Sequence, residues 1–348
     1  KEINYSTDTT IPKNFYKLEA EQEFLIIFSS GTTSGTPKGI VHTLGNLIQS
    51  AENFSQLCKF KSKDIFYAIW PQFYMAGIFN LFFVPLISKS KIILNHEFKV
   101  FLLKNLLDSS NQYNVSQLYL TPTMCSLILN FKESLLKNFK FKKKTSIIST
   151  SSILYPSTYN NFFEIFKKKI IRCYGVTELG GSLTIDHYPK KNEDFCVGKY
   201  SKNTKIKCAG SKKTPKEIFI KSKYIMNRYI NGKINSYSFF KTGDIGYIKK
   251  GKLYILGRSS DNIKKGGEFV SLAEIESLAL NIDGVKNAMA LPIKDEFFGS
   301  KIKLVLEIEK NLKTKEIENK IILRFNQSLN QNERPDSITF VKNIKKTP

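Results

Sequence analysis

The sequence predicts an α/β protein: a large N-terminal domain with mostly parallel sheets and a β-rich subdomain, then a small α+β C-terminal domain. Three observations predict it. Short apolar runs alternate with helix-like stretches from Leu44 to Gly175, the pattern of parallel strands joined by helical crossovers. From about Phe195 to Leu256 the helices drop out and short strands and turns follow one another. Past a polar, glycine-containing stretch at Gly257–Glu268, helices and strands alternate again to the end. A chain of 348 residues is long for one core, which also favours two domains.

The elements follow in order. "FLIIF" (Phe24–Phe28) reads as a buried strand, and "GIVH" after Lys38 as a second strand. "IFYAIW" (Ile65–Trp70), "KIIL" (Lys91–Leu94), "QLYL" (Gln117–Leu120), "SIIS" (Ser146–Ser149) and "IIRCYG" (Ile170–Gly175) read as further strands. Helices are expected over Leu44–Leu57, Phe98–Ser109, Thr123–Asn130 and Ser157–Lys168. "KIKC", "EIFI" and "KLYIL" supply the β-rich stretch, and Gly257–Glu268 is the candidate linker. "SLAEIESLAL" opens with a capping box from Ser271 to Glu274 and reads as a helix. Strands near Val285–Leu291 and Lys303–Ile308, a helix near Thr314–Leu329 and a strand near Ile338–Val341 complete the chain.

Composition excludes several classes. "GIFNLFFVPLI" (Gly77–Ile87) is too short and interrupted to span a bilayer, so no transmembrane segment is expected. The chain starts at Lys1 rather than Met and is read as part of a longer protein. Five cysteines without a CxxC pair indicate reduced thiols and a cytoplasmic setting. Three scattered histidines offer no metal spacing. The net charge of +24 is nearly all lysine and reads as a bias spread over the whole surface. No specific nucleic-acid partner is expected from it, and the densest cluster, "KNFKFKKK" (Lys137–Lys144), reads as a solvated loop.

Chemistry begins at "FSSGTTSGTPKGIVHT" (Phe28–Thr43). Gly31, Gly35 and Gly39 can take positive φ and turn backbone N–H groups toward an anion. Ser29, Ser30, Thr32, Thr33, Ser34 and Thr36 offer hydroxyl donors, and Lys38 adds a compact charge. It is not a Walker loop, because Lys38 is followed by Gly39 and a strand. A polyphosphate loop and a plain Gly/Ser turn both remain open from this stretch alone. "CYGVTELGG" (Cys173–Gly181) ends a strand, where open α/β sheets bind ligands. Tyr174 could lie against a base, Thr177 could donate to a phosphate, and Glu178 could hold Mg²⁺. "FFKTGDIGYI" (Phe239–Ile248) places Asp244 in a tight turn between strands, suited to two ribose hydroxyls or to stabilising the turn.

Taken in order, these motifs closely resemble the adenylate-forming superfamily of acyl-CoA synthetases, peptide-synthetase adenylation domains and luciferases. The Ser/Thr/Gly run ending in Pro-Lys-Gly is matched by Ser29–Gly39, and Tyr-Gly-x-Thr-Glu by Tyr174–Glu178. Thr-Gly-Asp is matched by Thr242–Asp244. Gly-Arg-x-x-Asp-x-Ile-Lys is matched by Gly257–Lys264, followed by Gly266–Gly267 and Glu274–Glu276. The resemblance implies a large domain over residues 1–257, with a β-rich part at 195–257, and a small mobile domain over 258–348. It implies ATP, Mg²⁺ and CoA as cofactors. Ser30, Thr32, Thr33 and Lys38 would hold phosphates, Tyr174 would pack on adenine, and Thr177 would meet the α-phosphate. Glu178 would bind Mg²⁺, while Asp244, with Arg258 nearby, would grip the ribose. Asp261 would be the hinge, and Lys264 would belong to the face presented during thioester formation.

The implied reaction joins a small-molecule carboxylic acid to a thiol through an acyl-adenylate. Tyr74 stands where the family commonly has His, and Ser151 and Ser152 fall in "STSSIL" (Ser149–Leu154), where it has glycines. Those hydroxyls either narrow the acid pocket or add polar contacts, beside Gly175. The absence of an Asp near Tyr74 favours an acyl or aryl acid over an amino acid. The first reading is an acid–CoA ligase. The alternatives are an enzyme loading a carrier-protein thiol and a catalytically weak nucleotide-binding paralogue. The chain stops at "IKKTP", short of the family's C-terminal catalytic lysine, so weak carboxylate activation is expected of it.

Overall fold

The computed structural model describes residues 19–29, 38–70, 74–94, 103–129, 139–190, 195–232, 238–259, 262–265, 268–295, 299–309 and 312–344. β1 (Glu23–Ser29) and β2 (Lys38–Thr43) form an antiparallel pair, with Phe28 opposite Gly39. β2 runs directly into α1 (Leu44–Cys58), whose first turn is capped by Thr43 Oγ1 accepting from Asn46 N at 3.2 Å. Then come β3 (Ile65–Ala68), α2 (Met75–Ile78), a π-helical turn at Phe79–Phe83, α3 (Val84–Ile87) and β4 (Lys91–Leu94). α4 (Leu103–Gln112), β5 (Gln117–Leu120), α5 (Pro122–Leu129), β6 (Ser146–Ser149), α6 (Pro156–Phe166) and β7 (Ile170–Val176) continue the alternation. β3 to β7 lie in the order β7-β6-β5-β3-β4, every neighbouring pair parallel. All four residues of β5 are buried, as expected of a strand covered on both faces.

The next strands are β8 (Gly181–Asp186), β9 (Cys196–Tyr200), β10 (Thr204–Lys207), β11 (Lys216–Ser222), β12 (Arg228–Tyr229), β13 (Phe240–Lys249) and β14 (Lys252–Arg258). All but β12 extend the parallel strands into one sheet of eleven, through β9, which pairs with both β8 and β14. The β-rich stretch is thus continuous with the parallel strands. β12 instead joins β2 in a three-stranded sheet.

Residues 262–344 carry their own apolar cluster, with Ile275, Leu304, Leu306, Ile317, Ile321 and Phe325 inside. It is built from the β15 (Asn262–Lys265) and β16 (Glu268–Ser271) pair, α7 (Leu272–Leu280), β17 (Val285–Asp295), β18 (Gly299–Ile308), α8 (Thr314–Ser328) and β19 (Ser337–Val341). Tyr155 Oη donates to Glu276 Oε2 at 2.5 Å and joins this part to the large one.

Several expectations change. β1 is a strand, but only Ile27 is buried; Phe24, Ile26 and Phe28 alternate onto the opposite face of a small three-stranded sheet and are exposed there. Gly39 does not take positive φ; a Cβ there would lie 3.1 Å from the Phe28 ring and 3.2 Å from Ile230 Cβ, so close packing is its reason. Asp244 sits inside β13, not in a turn between strands. The pairing of β13 with β11 shifts register there, and Gly243 has φ of 75°. The candidate linker contains the strand β15, which pairs antiparallel with β16 starting at the linker's last residue, Glu268. Of the capping box, the half in which Ser271 Oγ accepts from Glu274 N is formed, at 3.2 Å.

Candidate functional site

The C-terminal ends of β6 and β7 open onto a cavity of about 790 Å³, a volume ordinary for a small-molecule site. Lys38, Tyr74, Ser151, Gly175, Thr177, Glu178 and Arg258 all line it. A larger cavity of about 1420 Å³ adjoins it, lined by Tyr174, Ser152 and Asp244 together with residues of β17. Ser151, Gly175 and Arg258 line both. Residues dispersed over more than 200 positions of the sequence therefore converge at one strand end. Ser30, Thr32, Thr33, Asp261 and Gly266–Gly267 lie outside the described residues. Lys264 is placed by its backbone on β15; of that pair of strands, Ile263, Lys265, Val270 and Ser271 line neither cavity.

Two glycines shape the floor. A Cβ at Gly175 would lie 1.9 Å from Gly181 O, and one at Gly181 (φ 125°) would lie 2.4 Å from the Phe79 ring. The turn after β7 can therefore fold back onto β8 only without side chains at these positions.

Thr177 and Glu178 sit on a 3₁₀ turn, Thr177–Leu179. Its placement depends on two groups that sequence reading did not single out. His42, fully buried on β2, lies with Nε2 2.8 Å from Thr177 O. A carbonyl only accepts, so Nε2 carries the proton and donates. Burial holds the imidazole pKa down to about 4, and Nδ1 has no partner among the described residues. Tyr229, delivered by the two-residue β12, donates its hydroxyl to Glu178 Oε1 at 3.3 Å. Its ring lies 5.9 Å from Lys38 Nζ, so it bridges the lysine and the glutamate. His42 was visible only as a polar residue in the apolar run of "GIVH"; nothing marked Tyr229.

On the other side of the cavity wall, Tyr174 Oη donates to Asp244 Oδ2 at 2.5 Å, and Arg258 Nε to Asp244 Oδ1 at 2.9 Å. Burial, then the Asp244 charge, pushes the Tyr174 phenol well above its ordinary value, so it stays a donor. Thr242 Oγ1 accepts from Asp244 N at 3.1 Å and donates to Ile218 O at 2.9 Å. Arg258 Nη1 donates to Thr242 O at 3.1 Å. The Thr-Gly-Asp segment is thus held as a polar network, with Asp244 itself only 5% exposed. Tyr74 stacks on Trp70 with centroids 6.3 Å apart, and Ser151 adopts a φ of 83°, a left-handed backbone normally left to glycine.

Among the described residues the Glu178 carboxylate has one hydrogen bond, from Tyr229, and the residue lines the cavity. A hard carboxylate oxygen so placed fits Mg²⁺.

Comparison with known proteins supplies the family. Residues 4–230 match the family model described as AMP-binding enzyme. The oxalate–CoA ligase of Saccharomyces cerevisiae is 25% identical over 303 residues, covering 83% of this chain and 54% of the yeast protein. The malonate–CoA ligase of Arabidopsis thaliana is 27% identical, covering 87% of this chain and 55% of its own length. The chain thus spans about half the length of these curated relatives. The structure of the Bacillus subtilis O-succinylbenzoate coenzyme A synthetase in complex with ATP and magnesium ion superposes with a TM-score of 0.78. It is 23% identical, covering 94% of this chain and 68% of that one. With the family model matching well over half of its residues, the chain belongs to the AMP-binding enzyme family.

Proposed function

We propose that this chain carries the nucleotide and acid site of an acid–CoA ligase that works through an acyl-adenylate. The observation that carries the reading is the convergence of Lys38, Thr177, Glu178 and Arg258 on one cavity, with Asp244 in the adjoining one. A carboxylate oxygen attacks the α-phosphorus of ATP, the bond from that phosphorus to the bridging oxygen breaks, and pyrophosphate leaves. The thiolate of CoA then attacks the acyl carbon and AMP leaves. The chain contributes alignment and charge neutralisation, since two anions must meet.

Each residue takes a part in this proposal. Lys38 and the Thr177 hydroxyl bind phosphate oxygens. Tyr229 orients Glu178, and Glu178 holds Mg²⁺, which would neutralise charge on the phosphates. Asp244 meets the ribose while Tyr174 and Arg258 fix its carboxylate. Tyr74, Ser151, Ser152 and Gly175 border the acid. Asp261 serves as the hinge between residues 1–257 and the small C-terminal domain, and Lys264 joins the site in the thioester step. All five cysteines are free thiols, which fits a cytoplasmic enzyme.

The test is calorimetric binding of ATP and of a non-hydrolysable acyl-adenylate analogue. It is joined to an acid panel, including the oxalate and malonate that name the relatives, scored by AMP release with and without CoA. Mg²⁺-dependent ATP binding that Glu178→Gln weakens at least tenfold, analogue binding that Asp244→Asn weakens at least tenfold, and acid-dependent AMP release are expected. Binding unaffected by either change overturns the reading.

A further inference from the structure

The parallel strands bring lysines together at the end of the sheet opposite the cavity. Each of four strands is preceded by lysines: Lys59, Lys61 and Lys63 before β3, and Lys89 with Lys91 at β4. Lys140 and Lys142–Lys144 precede β6, and Lys167–Lys169 precede β7. Because β3, β4, β5, β6 and β7 are parallel, these segments all lie along one edge. Hydrogen bonds tie them side by side. Ser90 Oγ donates to Lys61 O at 2.9 Å, and Ser116 Oγ to Asp64 Oδ1 at 2.8 Å. Lys142 Nζ donates to Asn114 Oδ1 at 2.7 Å, and Lys168 Nζ to Lys142 O at 2.8 Å. Five strands at their ordinary spacing make an edge roughly 19 Å wide.

Twelve lysines thus share one edge, and eleven are exposed, all but the half-buried Lys168. Acidic groups do little to offset them. Asp64 is taken up by Lys61 N, Ser116 Oγ and Gln117 Nε2, and Glu164 pairs with Lys167 at 3.2 Å. Part of the charge that reads in sequence as an even bias is therefore gathered into one cluster, at the end remote from the nucleotide-family motifs.

We propose that this lysine edge docks the protein on an anionic lipid bilayer. The chemistry favours a membrane over a nucleic acid. The face consists of loop tips and holds no arginine; all five arginines lie elsewhere. Base recognition draws on arginine forks and stacked aromatics in a groove, whereas a bilayer needs only point charges spread over a flat face. Tyr113, 45% exposed beside Asn114, adds an amphipathic ring of the kind suited to the headgroup layer. No helix among the described residues is long and apolar enough to cross a membrane, so attachment is peripheral and electrostatic.

The test is co-sedimentation with phosphatidylcholine vesicles, with and without about one-third phosphatidylserine. Binding to the anionic vesicles alone, abolished by high salt, is expected. Replacing Lys61, Lys63, Lys143, Lys144 and Lys169 together by Gln is expected to weaken it by at least ~100-fold, since each lysine near such a surface multiplies partitioning about fivefold. Lys142 and Lys168 are left in place because they hold neighbouring loops. A control with the same net charge replaces Lys199, Lys202, Lys205, Lys213 and Lys249, all exposed outside the edge, and is expected to retain most binding. Equal losses in the two variants, equal binding to neutral vesicles, no binding at low salt, or tighter binding to a DNA duplex than to vesicles at the same salt overturns the proposal.

Discussion

His42 makes a pH dependence that can be isolated by one substitution. The ring is fully buried, donates to Thr177 O, and is held neutral, with its pKa depressed from the ordinary 6.5 to about 4. In the unfolded chain the imidazole takes up a proton below about pH 6.5, whereas the folded chain resists until about pH 4. The unfolded state thus binds more protons across that window, and stability falls as the pH drops through it. Between pH 7.5 and pH 5 the loss from this group is about 2 kcal/mol, and by pH 4 it is about 3 kcal/mol. The single tryptophan, Trp70, is buried in the large part and reports on its unfolding. Urea unfolding followed by its fluorescence at both pH values gives the loss directly. His42→Gln keeps an N–H able to reach Thr177 O and removes the titration. The variant is expected to lose about 2 kcal/mol less than the wild type between pH 7.5 and pH 5. All other groups titrate alike in both chains. Losses agreeing within about 0.5 kcal/mol would show that His42 is not held neutral by burial and would refute the reasoning.

Three further outcomes follow from the same geometry. Glu178→Gln is expected to cut acid-dependent AMP release ~100- to 1000-fold with an unchanged melting curve, because it removes one charge from the cavity without altering shape. A matching fall in melting temperature would make the residue structural. Ser151→Gly relieves a left-handed backbone at φ 83° and is expected to raise stability by about 1 kcal/mol, read by thermal unfolding. A drop would mean that the hydroxyl holds the segment. Arg172→Met breaks a buried pair, Nη2 to Asp186 Oδ2 at 3.0 Å, leaving the Asp186 carboxylate Lys252, at 3.5 Å, as its cationic partner among the described residues. A loss of ~3–5 kcal/mol is expected in denaturant titration, and less than about 1 kcal/mol would place the pair outside the cooperative core.

Which features were legible in the sequence depends on how far apart the interacting residues are. The parallel strands were readable because each is a local apolar run between helix-like stretches, and Thr43 and Ser271 cap helices within three residues of themselves. The Thr177–Glu178 turn was readable as a strand end. Tyr229 was not: it belongs to a two-residue strand that leaves the large sheet to pair with β2, and no local pattern encodes a partner so far along the chain. β1 misled because apolar character marks a strand but not what covers it; the alternating Phe24, Ile26 and Phe28 remain exposed on one face of the small sheet. The lysine edge is the sharpest case. Its four lysine-bearing segments are separated by whole helices, so along the chain they register as scattered charge. Parallel pairing alone gathers them, since every crossover returns the chain to the same end of the sheet before the next strand begins. The same topology that collects Thr177, Glu178 and Ser151 at the carboxyl ends must therefore collect whatever precedes the strands at the amino ends. A lysine bias in those short preceding segments becomes, by topology, a surface with a direction opposite to the cavity.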